Sequence, residues 1–139
     1  MDNRKRSWVT VAITLAVFGL VGYIFLDTAK EKAIVFEDDR LIISGIFGAK
    51  VDREEIESVT LVDHIPEILY KTNGASVGNI RLGLFKLESI ERAHLTVMDK
   101  SAPPFVLISS KIRPHYINFT TKEKTLQTYE AISAWAQGK

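Results

Sequence analysis

Residues 116–136 read YINFTTKEKTLQTYEAISAWA, and within them the chain changes its period. Tyr116 to Phe119 is a short β-rich run. Thr120-Thr121-Lys122-Glu123 then fits a capping box, with Thr120 as the cap and Glu123 reaching back to it. Leu126, Tyr129, Ile132, Ser133 and Ala136 recur at helical spacing along one stripe, and Gly138 closes the segment. One amphipathic helix placed after a run of strands has to bury its stripe against them. The open mouth of a barrel is the natural place for it.

Upstream of this helix the reading is mostly strand. The β-rich runs are 33–36, 41–44, 49–51, 56–62, 80–87, 93–98 and 105–109, with 116–119 after them. Glu37 to Arg40 is a polar hairpin turn, and Asp52 can cap a single helical turn over Arg53, Glu54 and Glu55. Gly83 marks a bulge or a close approach of two backbones. Residues 93–98 alternate Ala93, Leu95 and Val97 against His94, Thr96 and Met98, the period of a half-buried strand. Residues 63–79 form a long connection carrying Pro66, Asn73, Gly74 and Gly78. Short strands at this spacing predict a mainly β domain, a barrel of about seven strands closed by the terminal helix.

The N-terminal stretch is a different material. Residues 8–26, WVTVAITLAVFGLVGYIFL, contain no charge. As a helix at about 1.5 Å per residue they nearly match a hydrocarbon core of about 30 Å. Trp8 and Tyr23 fall near the two ends, where amphipathic rings favour the headgroup level. The run exceeds the apolar core of a cleaved signal peptide, and Asp27 stands two positions before Ala29, against a small-x-small cleavage site. It is read as an uncleaved signal anchor. Arg4, Lys5 and Arg6 precede the span, while Lys30 and Lys32 follow it. The positive-inside rule therefore sets the N-terminus in the cytoplasm and the domain outside. Ala12, Ala16 and Gly19 do not form a GxxxG motif and read as lipid-facing, which leaves a homo-oligomer open.

Composition narrows the chemistry. With 139 residues the chain has room for one ordinary domain beside the span. A net charge of +1 supplies no basic field for nucleic acid. The absence of cysteine excludes disulfides, thiolate metal sites, a cysteine nucleophile and lipoprotein acylation. Gly74-Ala75-Ser76-Val77-Gly78 spells the GxSxG nucleophile elbow, yet that elbow requires a strand turning into a helix, and a strand-like run follows here. His64, His94 and His115 have no ligand-pair spacing. Asn118-Phe119-Thr120 spells a glycosylation sequon at a strand end, where packing is the more natural role. No catalytic residue, cofactor or metal ligand is assigned.

Residues 56–85, IESVTLVDHIPEILYKTNGASVGNIRLGLF, resemble the bacterial PH-domain family of small membrane-tethered proteins. The likeness lies in Ile56-x-x-Val59-x-Leu61, Pro66, a Lys71-x-Asn73-Gly74 turn and Gly83-x-Phe85, with Tyr116 to Phe119 and the terminal helix agreeing. It covers most of residues 33–136 and implies a PH-like domain without implying an activity. The expected organisation is a cytoplasmic N-terminus (1–7), a transmembrane helix (8–26), a linker (27–32) and a PH-like domain (33–137) in a bacterial cell membrane.

The function that follows is a non-enzymatic, membrane-tethered interaction or assembly module with a protein partner. The alternative is a domain that binds a membrane lipid or small ligand. Glu37, Asp38 and Asp39 in the first hairpin would repel a phosphorylated headgroup, and Lys71, Arg81 and Lys86 offer a smaller basic patch. Leu69, Tyr70, Lys71 and Asn73 are the expected partner contacts, since the 63–79 connection is more apolar than a solvated loop requires. Cover for the domain's own core is the competing role for the same side chains.

Overall fold

A computed structural model describes residues 2–138. Helix α1 spans Asn3–Ala29 and buries nothing before Thr28, so most of its apolar length is open. It is long and apolar enough to cross a membrane. The strands are β1 (Ile34–Glu37), β2 (Arg40–Ile43), β3 (Ala49–Asp52), β4 (Ile56–Val62), β5 (Ile68–Val77), β6 (Ile80–Leu87), β7 (Ile90–Val97), β8 (Phe105–Ser110) and β9 (Pro114–Asn118). Helix α2 is Lys122–Gln137. The domain is mainly β, as the sequence predicts.

The strands do not close into one barrel. β1, β2 and β3 make an antiparallel three-stranded sheet, and the other six order as β4-β8-β9-β7-β6-β5. Every pair is antiparallel except β7 with β9, where His94 stands opposite His115 and Leu95 opposite Tyr116. β4 and β5 are opposite edges of the large sheet, yet only residues 63–67 join them. A flat sheet at about 4.8 Å per strand would hold these edges about 24 Å apart. The chain from Val62 to Ile68 reaches at most about 21 Å. The sheet must therefore curl without sealing.

Curling gives the sheet two cores. Inside the curl, Phe85, Leu87, Ala93, Leu95, Val97, Phe105 and Tyr116 cluster, with Ile65 and Ile68 packed against them. On the other face Leu82, Val106, Ile108 and Ile117 meet Leu41, Ile43 and Val51 of the small sheet and Ile132 of α2. Helix α2 therefore does not plug a barrel mouth. It lies along β4, β8 and β9 and shares one face of the sheet with β1–β3.

The cap of α2 sits one residue later than the capping box predicts. Thr121 accepts from Lys124 N–H at 3.3 Å, while Thr120 N–H donates to Glu31 Oε1 at 3.2 Å. Glu123 pairs with Gln127 instead of reaching back. Asp52 precedes a single 3-10 turn, Arg53–Glu55, without a side-chain cap bond. Asn118, of the sequon, is fully buried. Its Oδ1 accepts from Met98 and Asp99 N–H, and its Nδ2 donates to the Asp99 and Ala102 carbonyls. That fixes the turn after β7 and confirms the packing role.

Candidate interaction site

The largest departure from the sequence reading is β5. The expected 63–79 connection is instead a short link, a ten-residue strand and a turn at Gly78-Asn79. Lys71 to Gly74 is thus not a turn. Gly74 stands opposite Gly83, whose φ of +106° and closeness to the Asn73 carbonyl leave no room for a Cβ. Ser76 pairs with Arg81 at the end of the hairpin, so the GxSxG letters run through strand and turn, without the strand-to-helix junction of an elbow.

β5 pairs with β6 on one side, and no strand pairs with its other edge among the described residues. Leu69 and Thr72 are extra residues between successive pairs (Ile68↔Leu87, Tyr70↔Lys86, Lys71↔Phe85, Asn73↔Leu84). Such bulges twist an edge strand and redirect its side chains. Leu69 is 48% exposed and Tyr70 57% exposed, while Lys71 and Asn73 are exposed beside them. The bulge at Leu69 breaks the alternation of faces, so Leu69 and Tyr70 are both exposed next to Ile68, which packs against core. Ile65 and Ile68 do cover core. Leu69 and Tyr70 do not.

The basic patch does not assemble as a free surface. The Arg81 guanidinium donates to the Gly78 and Ile80 carbonyls of its own turn. Lys86 Nζ lies 2.6 Å from Glu91 Oε2. Hydrogen bonding to that carboxylate holds the ammonium above its ordinary pKa and the carboxyl below.

Parallel pairing brings together two histidines that sequence spacing keeps apart. His115 lies in β9, and its ring centroid is 5.3 Å from that of His94. Both are buried, whereas His64 is exposed. His94 Nε2–H donates to the Phe47 carbonyl at 2.9 Å, and Nδ1 of each ring has no partner. Burial holds both below the ordinary imidazole pKa, His115 at about 3, with Arg113 adding to the effect. With Lys50, Glu55 and Arg113 they line an open cavity of about 280 Å³. Among the described residues no group of three or more His, Asp or Glu is placed to hold a metal ion.

The sequence reading also treats residues 27–32 as a plain linker, and here the structure is richer. Helix α1 continues to Ala29, and Thr28 and Lys32 are buried. Asp27 Oδ2 accepts from Ile46 N–H at 3.1 Å and pairs with Lys32 at 3.6 Å. Glu31 pairs with Lys124 at 3.1 Å. Burial pushes the Glu31 carboxyl up, but the bonds from Thr120 and Lys124 outweigh it and hold the pKa below normal. Ala33 and Ser44 exchange two bonds, Ala33 N–H to Ser44 Oγ and Ser44 N–H to the Ala33 carbonyl. The domain is joined to α1 through a fixed joint. The alternation of charges just after the apolar run is the sequence signal that could have revealed it.

No family model matches this chain, and neither a curated protein nor a solved structure matches it.

Proposed function

We propose that this chain is a non-enzymatic, membrane-tethered interaction or assembly module built on a PH-like domain, with β5 as its contact edge. The observation that carries the reading is the open edge of β5, with Leu69 and Tyr70 exposed, on a domain fixed to a span-length helix. Strand addition supplies affinity through main-chain hydrogen bonds and selectivity through alternate side chains. Anchoring keeps the edge near the bilayer and raises its effective concentration for other membrane proteins. The terminal helix packed on a curled sheet supports the PH-like assignment, while the parallel β7–β9 pair departs from an up-and-down barrel. Lys71 and Asn73 flank the apolar pair as the polar part of the contact.

The test is a photo-crosslinking amino acid at Tyr70 of the full chain in bacterial cells, with one at Glu123 as a control. A discrete protein adduct from Tyr70 alone, lost on Leu69→Asp, is the expected result. No adduct, or one that survives Leu69→Asp, removes β5 as the contact edge. Orientation is read separately. Ser101 is exposed and the chain has no cysteine. Ser101→Cys should react with an impermeant maleimide on intact cells if the domain lies outside.

The alternative, recognition of a lipid or small ligand, draws on the cavity under residues 48–50, where Lys50 and Arg113 are the cations.

A further inference from the structure

The loop between β2 and β3, residues 44–48, is clipped to the end of α1. Ile46 N–H donates to Asp27 Oδ2 at 3.1 Å. Lys32 pairs with the same carboxylate and donates to the Asp27 carbonyl, while its stem lies against Gly45, which has a φ of +101°. Farther along, the Phe47 carbonyl takes the hydrogen bond from buried His94. The loop is therefore pinned to the helix on one side and to the large sheet on the other. Between these two pins, Ile46 remains 46% exposed.

What gives this exposure a meaning is position. Asp27 is the first charged residue after the uncharged run that ends at Leu26. A carboxylate is costly inside hydrocarbon, so Asp27 marks the level where acyl chains give way to headgroups. Tyr23, exposed one turn earlier, is a residue suited to that boundary. Whatever level Asp27 takes, Ile46 takes with it. Lys30 is exposed three residues beyond Asp27 and supplies a cation for anionic headgroups.

We propose that residues 44–48 form a second membrane contact, with Ile46 seated in the interfacial layer of the phospholipid bilayer beside the end of α1. The contact rests on the reading of α1 as a membrane span. A lone helix lets its cargo swivel about the helix axis. A second point of contact stops the swivel and sets which side of the domain faces away from the lipid. The occupant is the bilayer itself, because this surface is continuous with the span.

The test uses the full chain reconstituted in vesicles of phosphatidylcholine with phosphatidylglycerol. Ile46→Cys, Leu20→Cys and Ser101→Cys each carry a fluorophore, and the lipids carry a spin label either near the headgroup or near the acyl terminus. Interfacial side chains sit about 5–10 Å into the headgroup–acyl boundary, so the shallow quencher should act on Ile46 about twofold more than on Ser101. Leu20 should respond to the deep quencher. Quenching at Leu20 with Ile46 no better quenched than Ser101 overturns the loop contact and leaves the span standing. No quenching at Leu20 by either lipid overturns the span, and the contact falls with it. The unmodified chain provides a reading without substitution. Broadening of the Ile46 methyl resonance by the shallow spin label supports the contact, and an unbroadened resonance overturns it.

Discussion

β7 and β5 belong to one sheet, separated only by β6, and their compositions run against their fates. β7 reads IERAHLTV and buries Ala93 through Val97 without a break, including a histidine and a threonine. β5 reads ILYKTNGASV and buries no residue fully, although Ile, Leu, Tyr and Val are all present. Place in the sheet decides this. β7 has a strand on each side, a core on one face and buried His94 and Thr96 on the other, whereas β5 has one neighbour and two bulges. An interior strand can carry polar side chains if the packing around it is complete, and an edge strand can leave apolar ones in view.

The sharpest test of that contrast is one chemical change made in both strands. Leu95→Ala, inside the curl, should cost about 2–5 kcal/mol, because the deletion leaves a cavity among side chains that cannot collapse into it. Urea unfolding of the full chain in detergent measures it. A cost near zero would mean that the inner core is loosely packed.

The histidines sharpen the contrast next, since they are polar groups on interior strands. Burial sets the folded-state pKa of His115 at about 3 against an ordinary 6.5. The folded protein therefore resists protonation, and below pH 6.5 the unfolded chain binds more protons. Stability should fall as the pH drops, by about 2 kcal/mol for His115 between about pH 7 and about pH 5, and continue to fall until the folded pKa is reached. His94, also lowered, adds to the slope. Arg113, Lys50 and Glu55 line the same cavity, and Arg113 acts in the same direction on both rings. His115→Phe should flatten the dependence, and an unchanged slope would assign it to other groups.

The smallest effect belongs to the edge. Leu69→Ala should change stability by less than about 0.5 kcal/mol, the range of surface substitutions away from packed features. The same unfolding measurement applies. A loss comparable to that of Leu95→Ala would show that Leu69 is covered in solution, and the contrast between the strands would fail.

Part of this could be read from the chain before folding. The apolar helix is legible because its 19-residue uncharged run is local and long. β6, β7 and β8 are legible because β-rich runs of apolar residues recur between turn signals. β5 is not, because Lys71-Thr72-Asn73-Gly74-Ala75-Ser76 has the composition of a loop. An edge strand needs backbone partners on one side only, so little in its side chains has to announce it. Leu69, Tyr70, Lys71 and Asn73, the contacts expected from the sequence, are exposed together, on a strand instead of a loop. Asp27 and Glu31 are not legible as a joint because their partners, Ile46, Thr120 and Lys124, lie 19 or more positions away along the chain.

The sequence by itself determined the kinds of the elements other than β5, and the apolar helix at the start, since helix, strand and span each tend to leave a local period or a local length. Only the tertiary structure decided the order of the strands, the insertion of β9 beside β7 and the curl that leaves the sheet unsealed. Those depend on which distant backbones share hydrogen bonds, and every strand offers the same N–H and C=O groups to any neighbour. The choice between neighbours is settled by which arrangement buries two cores and still lets residues 63–67 reach from one edge to the other.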